Sequence, residues 1–131
     1  MIGYATLGTN DVARALGFYD ALMAELGARR IMQLAENDLT MYGVSFAQPA
    51  LAITRPYDGE PATPGNGNMI ALVVDSRDKV DQVHARALGL GAADEGAPGL
   101  RSSEGDMAFY AGYFRDPDGN KLCVFHVGAP D

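Results

Sequence analysis

A chain of 131 residues in which 47% of the side chains are apolar suits one folded domain and excludes a disordered tail. Its 17 acids against 10 bases leave a net charge of −7, which repels phosphate backbones and anionic lipid surfaces, so neither a nucleic-acid partner nor a membrane partner is expected. A single cysteine, Cys123, forms no internal disulfide and suits a reducing cytoplasm, the expected location.

The N-terminal "MIGYATLG" is a short apolar run ending in glycine and reads as a strand, with no charged n-region or long apolar stretch of a signal peptide or membrane span. Thr9 or Asn10 then offers a helix cap, and Asp11 places a negative charge in the first turn. Val12, Leu16, Tyr19, Met23 and Leu26 recur at helical spacing until Gly27. Three strands are predicted next, "RRIMQLA", "LTMYGVSF" and "ALAIT". Residues 56–67 hold three prolines and three glycines and read as a connector. Beyond it, "NMIALVVD" predicts a strand and Ser76 a cap, followed by a helical stripe of Val80, Val83, Ala87 and Leu90 that Gly89 and Gly91 close. Residues 92–103 carry only a faint strand signal, and "FYAGYFRDPDGNKLCVF" over 109–125 reads as a hairpin turned by Asp116 to Asn120.

The pattern occurs twice. The segment from Tyr4 to Leu7 lies over that from Met69 to Leu72 at a shift of 65 residues, and Leu26-Gly27-Ala28 over Leu90-Gly91-Ala92 at a shift of 64. A repeat this long means two copies of one supersecondary unit. One helix covers only one face of its sheet, so the uncovered faces meet each other or enclose something.

Three features together make the chain resemble the vicinal oxygen chelate superfamily, which contains glyoxalase I, extradiol dioxygenases and the bleomycin and fosfomycin resistance proteins. They are "TLGTNDVARALGFYDALMAELGA", the repeat, and "YFRDPDGNKL". The resemblance spans essentially the whole chain. It implies an α+β fold of two tandem βαβββ modules, about 1–55 and about 68–131 in one domain over 1–131, curled into a partly open barrel-like cleft with the helices outside. It also implies metal ligands at inward positions of the first and last strand of each module, which here hold Tyr4, Ala52, Met69 and Cys123. His, Gln and Glu, the usual residues there, are absent, so no metal and no other cofactor is expected. Without a Lewis acid, glyoxalase-type isomerisation and extradiol ring cleavage are not inherited from the fold.

Side chains alternate along a strand, so Cys123 and Phe125 share one face, and Leu122, Val124 and His126 the other. Pairing Arg115 with Lys121 sets Tyr113 opposite Cys123 and brings Arg115 to the same side. The expected ligand-binding set is Tyr4, Thr6, Tyr42, Met69, Tyr113, Arg115, Cys123 and Phe125. Arg115 would pair with a carboxylate or phosphate of a ligand, or else with Asp116 or another acid at the rim. Tyr113 and Cys123 are the catalytic candidates, a hydrogen-bond donor and a thiol, each with a plain packing role as its alternative. His84 and His126 read as packing or surface histidines. Tyr57 and Asp58 in the connector, and the segment 99–106, are possible lids over the cleft or plain staples.

Three functions fit: a metal-independent protein binding a small organic molecule, a metal-dependent lyase or isomerase using loop acids such as Glu36, Asp58 or Glu104, and a non-catalytic homodimer sequestering an antibiotic or metabolite. A homodimer is the expected assembly.

Overall fold

The computed structural model describes residues 1–131. In chain order the elements are β1 (Tyr4–Gly8), α1 (Val12–Ala24), β2 (Arg29–Leu34), a single 3-10 turn (Glu36–Asp38), β3 (Leu39–Gly43) and β4 (Ala50–Thr54). The second set is β5 (Ile70–Val73), α2 (Arg77–Gly89), β6 (Ala93–Leu100), β7 (Phe109–Arg115) and β8 (Lys121–Val127). These are two βαβββ modules. Each folds into a four-stranded mixed sheet, in the orders β1-β4-β3-β2 and β5-β8-β7-β6. In both, the first strand runs parallel to the last, and the remaining pairs are antiparallel. The parallel pair requires a crossover, which each helix supplies.

Each helix starts on a side-chain cap and stops at a glycine. Asp11, rather than Thr9 or Asn10, caps α1 by accepting from the Arg14 amide at 3.1 Å, and Ser76 caps α2 by accepting from the Lys79 amide at 3.0 Å. Gly27 (φ +70°) and Gly91 (φ +104°) follow the two helices in left-handed conformations that a Cβ disfavours.

One continuous core joins the modules. Phe18, Tyr19 and Leu22 of α1 and Val80, Val83 and Ala87 of α2 pack with Tyr42, Leu51 and Ile53 of the first sheet and Phe114, Leu122 and Val124 of the second. Burial of each large side chain stabilises the fold by about 1.5–3 kcal/mol. Both helices therefore cover the outer faces, and no helix of the chain is long and apolar enough to cross a membrane.

The Asp-Pro-Asp-Gly-Asn turn does more than reverse the chain. Buried Asp116 accepts the backbone amides of Asp118 and Asn120 at 2.9 Å, the Asn120 side-chain amide at 2.9 Å, and the Tyr19 hydroxyl of α1 at 2.6 Å. Asn120 donates onward to the Gly8 carbonyl at 2.9 Å. Asp118 accepts from the Thr9 hydroxyl at 2.6 Å, the Asn10 amide at 2.9 Å and Arg14 at 3.1 Å. The turn of the second module is thus latched onto the β1–α1 junction of the first, which is why Thr9 and Asn10 are not available as caps.

The connector is stapled to the same junction. Asn10 donates to the Ala62 carbonyl at 3.0 Å and accepts from the Ala62 amide at 2.7 Å. Gly8 leaves the space this approach needs, because a Cβ there would stand 2.9 Å from that of Ala62. Tyr57, proposed above as part of a lid, points into solvent at 84% exposure.

Candidate functional site

Alternation along the strands sorts the side chains into two sets. Leu51 and Ile53 of β4 and Leu122 and Val124 of β8 enter the helix-side core, so Ala52 and Cys123 lie on the opposite, inner face. On that face Thr6 stands beside Ala52, and Ala71 beside Cys123. Cys123 and Ala52 are fully screened by their neighbours, whereas Tyr4 (56%), Met69 (44%) and Val73 (70%) are open at the edges of the sheets. The inner face is accordingly an accessible, partly apolar surface with no helix over it.

Between β1 and β5, which do not pair, lies a depression of about 360 Å³ bordered by Thr6, Gly8, Met69, Asn68, Asn120 and Lys121. A second, of about 540 Å³, adjoins it and extends to Arg115. Pro64, Gly67, Asn68, Met69 and Lys121 border both, so the end of the connector forms one wall of a continuous groove.

The pairing of β7 with β8 places Tyr113 opposite Cys123 and Arg115 opposite Lys121, as the hairpin reading requires. Phe125 lies two residues beyond Cys123 on the same face, its ring stacked on Phe109 at 5.3 Å. Tyr42 does not join this group. Its hydroxyl donates to Asp20 of α1 at 2.7 Å, so it belongs to the helix-side core. Met41, its neighbour in β3, pairs with Ala52 and takes the inner position instead. Arg115 already has a carboxylate: its Nε donates to Glu95 at 2.6 Å and its Nη1 to the Gly119 carbonyl at 2.9 Å. Its acid is therefore Glu95 rather than Asp116.

Two cations missed in the sequence stand over the Tyr113 ring. The Arg101 guanidinium lies 5.4 Å from the ring centroid and the Lys121 ammonium 5.5 Å from it. Lys121 was legible, since it shares strand parity with Cys123. Arg101 comes from the segment weighed as a flap, and its signal was the glycines before it. A Cβ on Gly99 would stand 3.1 Å from Arg101 Nη1, and one on Gly96 3.4 Å from Nη2, so two missing side chains leave the bed in which the guanidinium lies. The Ala97 carbonyl holds it there, accepting from Nη2 at 2.6 Å.

Burial pushes the Cys123 thiol up, against the opposite pull of Tyr113, Arg101 and Lys121. Burial, and then the adjacent thiol, likewise push the Tyr113 hydroxyl up. Both groups are protonated at neutral pH, which makes them hydrogen-bond donors rather than a ready nucleophile and base.

The positions where a metal would be held do not fit one. Ala52 has no donor atom, and Tyr4, Met69 and Cys123 make a phenol, a thioether and a single thiol. Nowhere do three or more His, Cys, Asp or Glu side chains converge as a metal centre requires. The loop acids do not assemble: Glu104 is bound bidentately by Arg77, and Asp58 accepts from the Glu60 amide. The histidines are occupied as packing residues, His84 with Asp94 and the Tyr113 carbonyl, His126 with the Val74 carbonyl.

Comparison with known proteins agrees with this architecture. The family model described as Glyoxalase/Bleomycin resistance protein/Dioxygenase superfamily matches residues 1–124. A glyoxalase/bleomycin resistance protein from Albidiferax ferrireducens T118 superposes with a TM-score of 0.82 at 34% identity, over 96% of this chain and 98% of that one. A lactoylglutathione lyase from Agrobacterium tumefaciens, at 20% identity and a TM-score of 0.65 over 96% and 92% of the two chains, shares the fold. So does a glyoxalase/bleomycin resistance protein/dioxygenase family enzyme from Burkholderia phytofirmans PsJN, at 18% and 0.71 over 95% and 97%. No match is found among curated proteins. By the family model, by the Albidiferax relative and by its paired βαβββ modules, the chain belongs to the glyoxalase/bleomycin resistance protein/dioxygenase superfamily.

Proposed function

We propose that this protein binds a small organic molecule in the groove between β1 and β5 and on the inner sheet faces that adjoin it, and does so without a metal ion. The observation that carries the reading is the composition of that face. Thr6 and Tyr113 offer directed polar groups among Met69 and Phe125, over a floor closed by buried Cys123 and Ala52, a mixture suited to a small-molecule site, while the four family ligand positions lack a workable donor set. Protonated Tyr113 suits the donation of a hydrogen bond to a ligand oxygen, and the buried Cys123 thiol lies beneath it, so binding, rather than a named reaction, is the activity supported. A homodimer is the proposed working unit.

Elemental analysis of untagged protein, followed by thermal shifts with small organic ligands before and after chelation, tests the proposal. Less than a tenth of a metal ion per chain, with ligand-induced stabilisation unchanged by chelation, is the expected result. One zinc, manganese, nickel or iron per chain, whose removal abolishes ligand binding, would overturn it. Sedimentation at working concentration checks the dimer, and a monomer throughout removes that part.

A further inference from the structure

The charges of this chain are sorted, and the sorting leaves a residue. Seven of its ten lysine and arginine side chains sit in ion pairs with acids. Only Arg29, Arg101 and Lys121 have no carboxylate partner, although acids outnumber bases seventeen to ten. Two of those three converge on one aromatic ring of the inner face. Each cation touches the ring, and stacking on it leaves that charge without a counter-ion. The acids on neighbouring β6 give no relief. Glu95 is neutralised by Arg115, and Asp94 turns to His84 and the Gly96 amide.

The cations keep free donors. Arg101 uses one N–H toward the Ala97 carbonyl, and Lys121 donates to no group of the protein. A guanidinium has five N–H donors and an ammonium three, so most remain for a ligand. The bed left by Gly96 and Gly99 fixes Arg101 beside the ring, and Lys121 also borders the groove. An apolar floor continues alongside, with Phe125 stacked on Phe109 and Val73 paired beside Phe125.

Resting on the small-molecule reading above, we infer that the ligand is an organic oxyanion, a carboxylate or a phosphate ester. Its charged head is gripped by Arg101 and Lys121 over the Tyr113 ring, and its apolar body lies along Phe125 and Val73. Two cations of different reach suit an oxyanion better than one does, because the guanidinium fork takes two oxygens while the ammonium shares one of them in a carboxylate or takes a third in a phosphate ester.

The test is a titration of nitrogen-15-labelled protein with three probes of comparable apolar body: 4-phenylbutyrate, 4-phenylbutyl phosphate and 4-phenylbutan-1-ol. Both anions should saturably shift the amides of Gly96, Tyr113 and Lys121, and bind at least about tenfold more tightly than the alcohol, a difference that weakens with added salt. The tighter anion identifies the head group. Arg101→Gln and Lys121→Gln should each lower anion affinity about tenfold and leave alcohol affinity unchanged. Arg29→Gln, away from the ring, should alter neither. If the alcohol binds as tightly as the anions, or if neither charge-removing variant matters, the oxyanion assignment is wrong while the groove reading stands. If no probe shifts any inner-face resonance, the assignment falls and the groove reading falls with it.

Discussion

Replacing Asp116 by alanine removes the acceptor at the centre of the latch. Four hydrogen bonds end on that carboxylate, from two backbone amides, the Asn120 side chain and the Tyr19 hydroxyl, all between 2.6 and 2.9 Å. Water entering at the turn can satisfy the backbone amides. It cannot easily reach Tyr19 or Asn120, which are 1% and 4% exposed. A buried donor stripped of its partner costs about 1–3 kcal/mol, so two cost about 2–6 kcal/mol. Relief from desolvating a carboxylate returns part of this, which leaves an expected loss of about 3 kcal/mol. Against a total stability of about 5–15 kcal/mol for a domain this is a large share. Asp116→Asn keeps one acceptor oxygen but turns an amide toward the Asn120 amide, and is expected to cost about 2 kcal/mol; Tyr19→Phe is expected to cost about 1 kcal/mol. Urea unfolding followed by circular dichroism measures these losses as shifts of midpoint at constant m. A double-mutant cycle between Asp116→Ala and Tyr19→Phe should show coupling of about 1 kcal/mol. An alanine variant within about 1 kcal/mol of wild type, or a coupling near zero, would refute the latch as a stabilising device.

Alkaline pH attacks the same residue. Burial, reinforced by Asp116, holds the Tyr19 hydroxyl well above its ordinary value. Below about pH 10 both folded and unfolded chains keep this proton; above it the unfolded chain releases its proton first, and stability falls by up to about 1.4 kcal/mol per pH unit. Tyr19→Phe should flatten the decline of the urea midpoint between pH 9 and 11, and an identical slope in both proteins would contradict this. Gly99→Ala, which brings a Cβ to 3.1 Å from Arg101 Nη1, should displace the guanidinium and lower 4-phenylbutyrate affinity with little change in melting temperature. Full affinity in that variant would show that the glycine bed is dispensable. The Cys123 thiol, 1% exposed and pushed up by burial, should react with Ellman's reagent at pH 8 far more slowly in the native protein than in urea. Comparable rates in both would mean the inner face is open to its floor.

Much of this architecture can be read from residue order, and the reasons differ from part to part. The two modules were visible because each repeats one sequence of strand, cap, amphipathic stripe and stop glycine, all local signals. The β7–β8 register followed from turn chemistry, since a fixed turn fixes every pair beyond it. β6 was nearly invisible, as "ADEGAPGL" lacks alternation. It pairs through two register shifts, at Gly96 and before Gly99, where side chains are absent to make room for Arg101. Tyr42 was misplaced because β3 reads "LTMYG", with large apolar groups at both parities, so only the helix it meets decides which face is inside. Arg101 and Lys121 became a site only through the tertiary fold: whether a cation is paired depends on acids far away in sequence.

The latch also bears on how the chain reaches this state. Its hydrogen bonds join residues 97, 109 and 112 positions apart, between the β1–α1 junction and the last hairpin. During synthesis from the N-terminus, the first module therefore emerges without the groups that later anchor it. Its half of the shared core waits for α2 and β8, and closure of so long a loop carries a kinetic cost. The final hairpin thereby ties the two halves together, so neither has its full set of contacts until the last strands are in place.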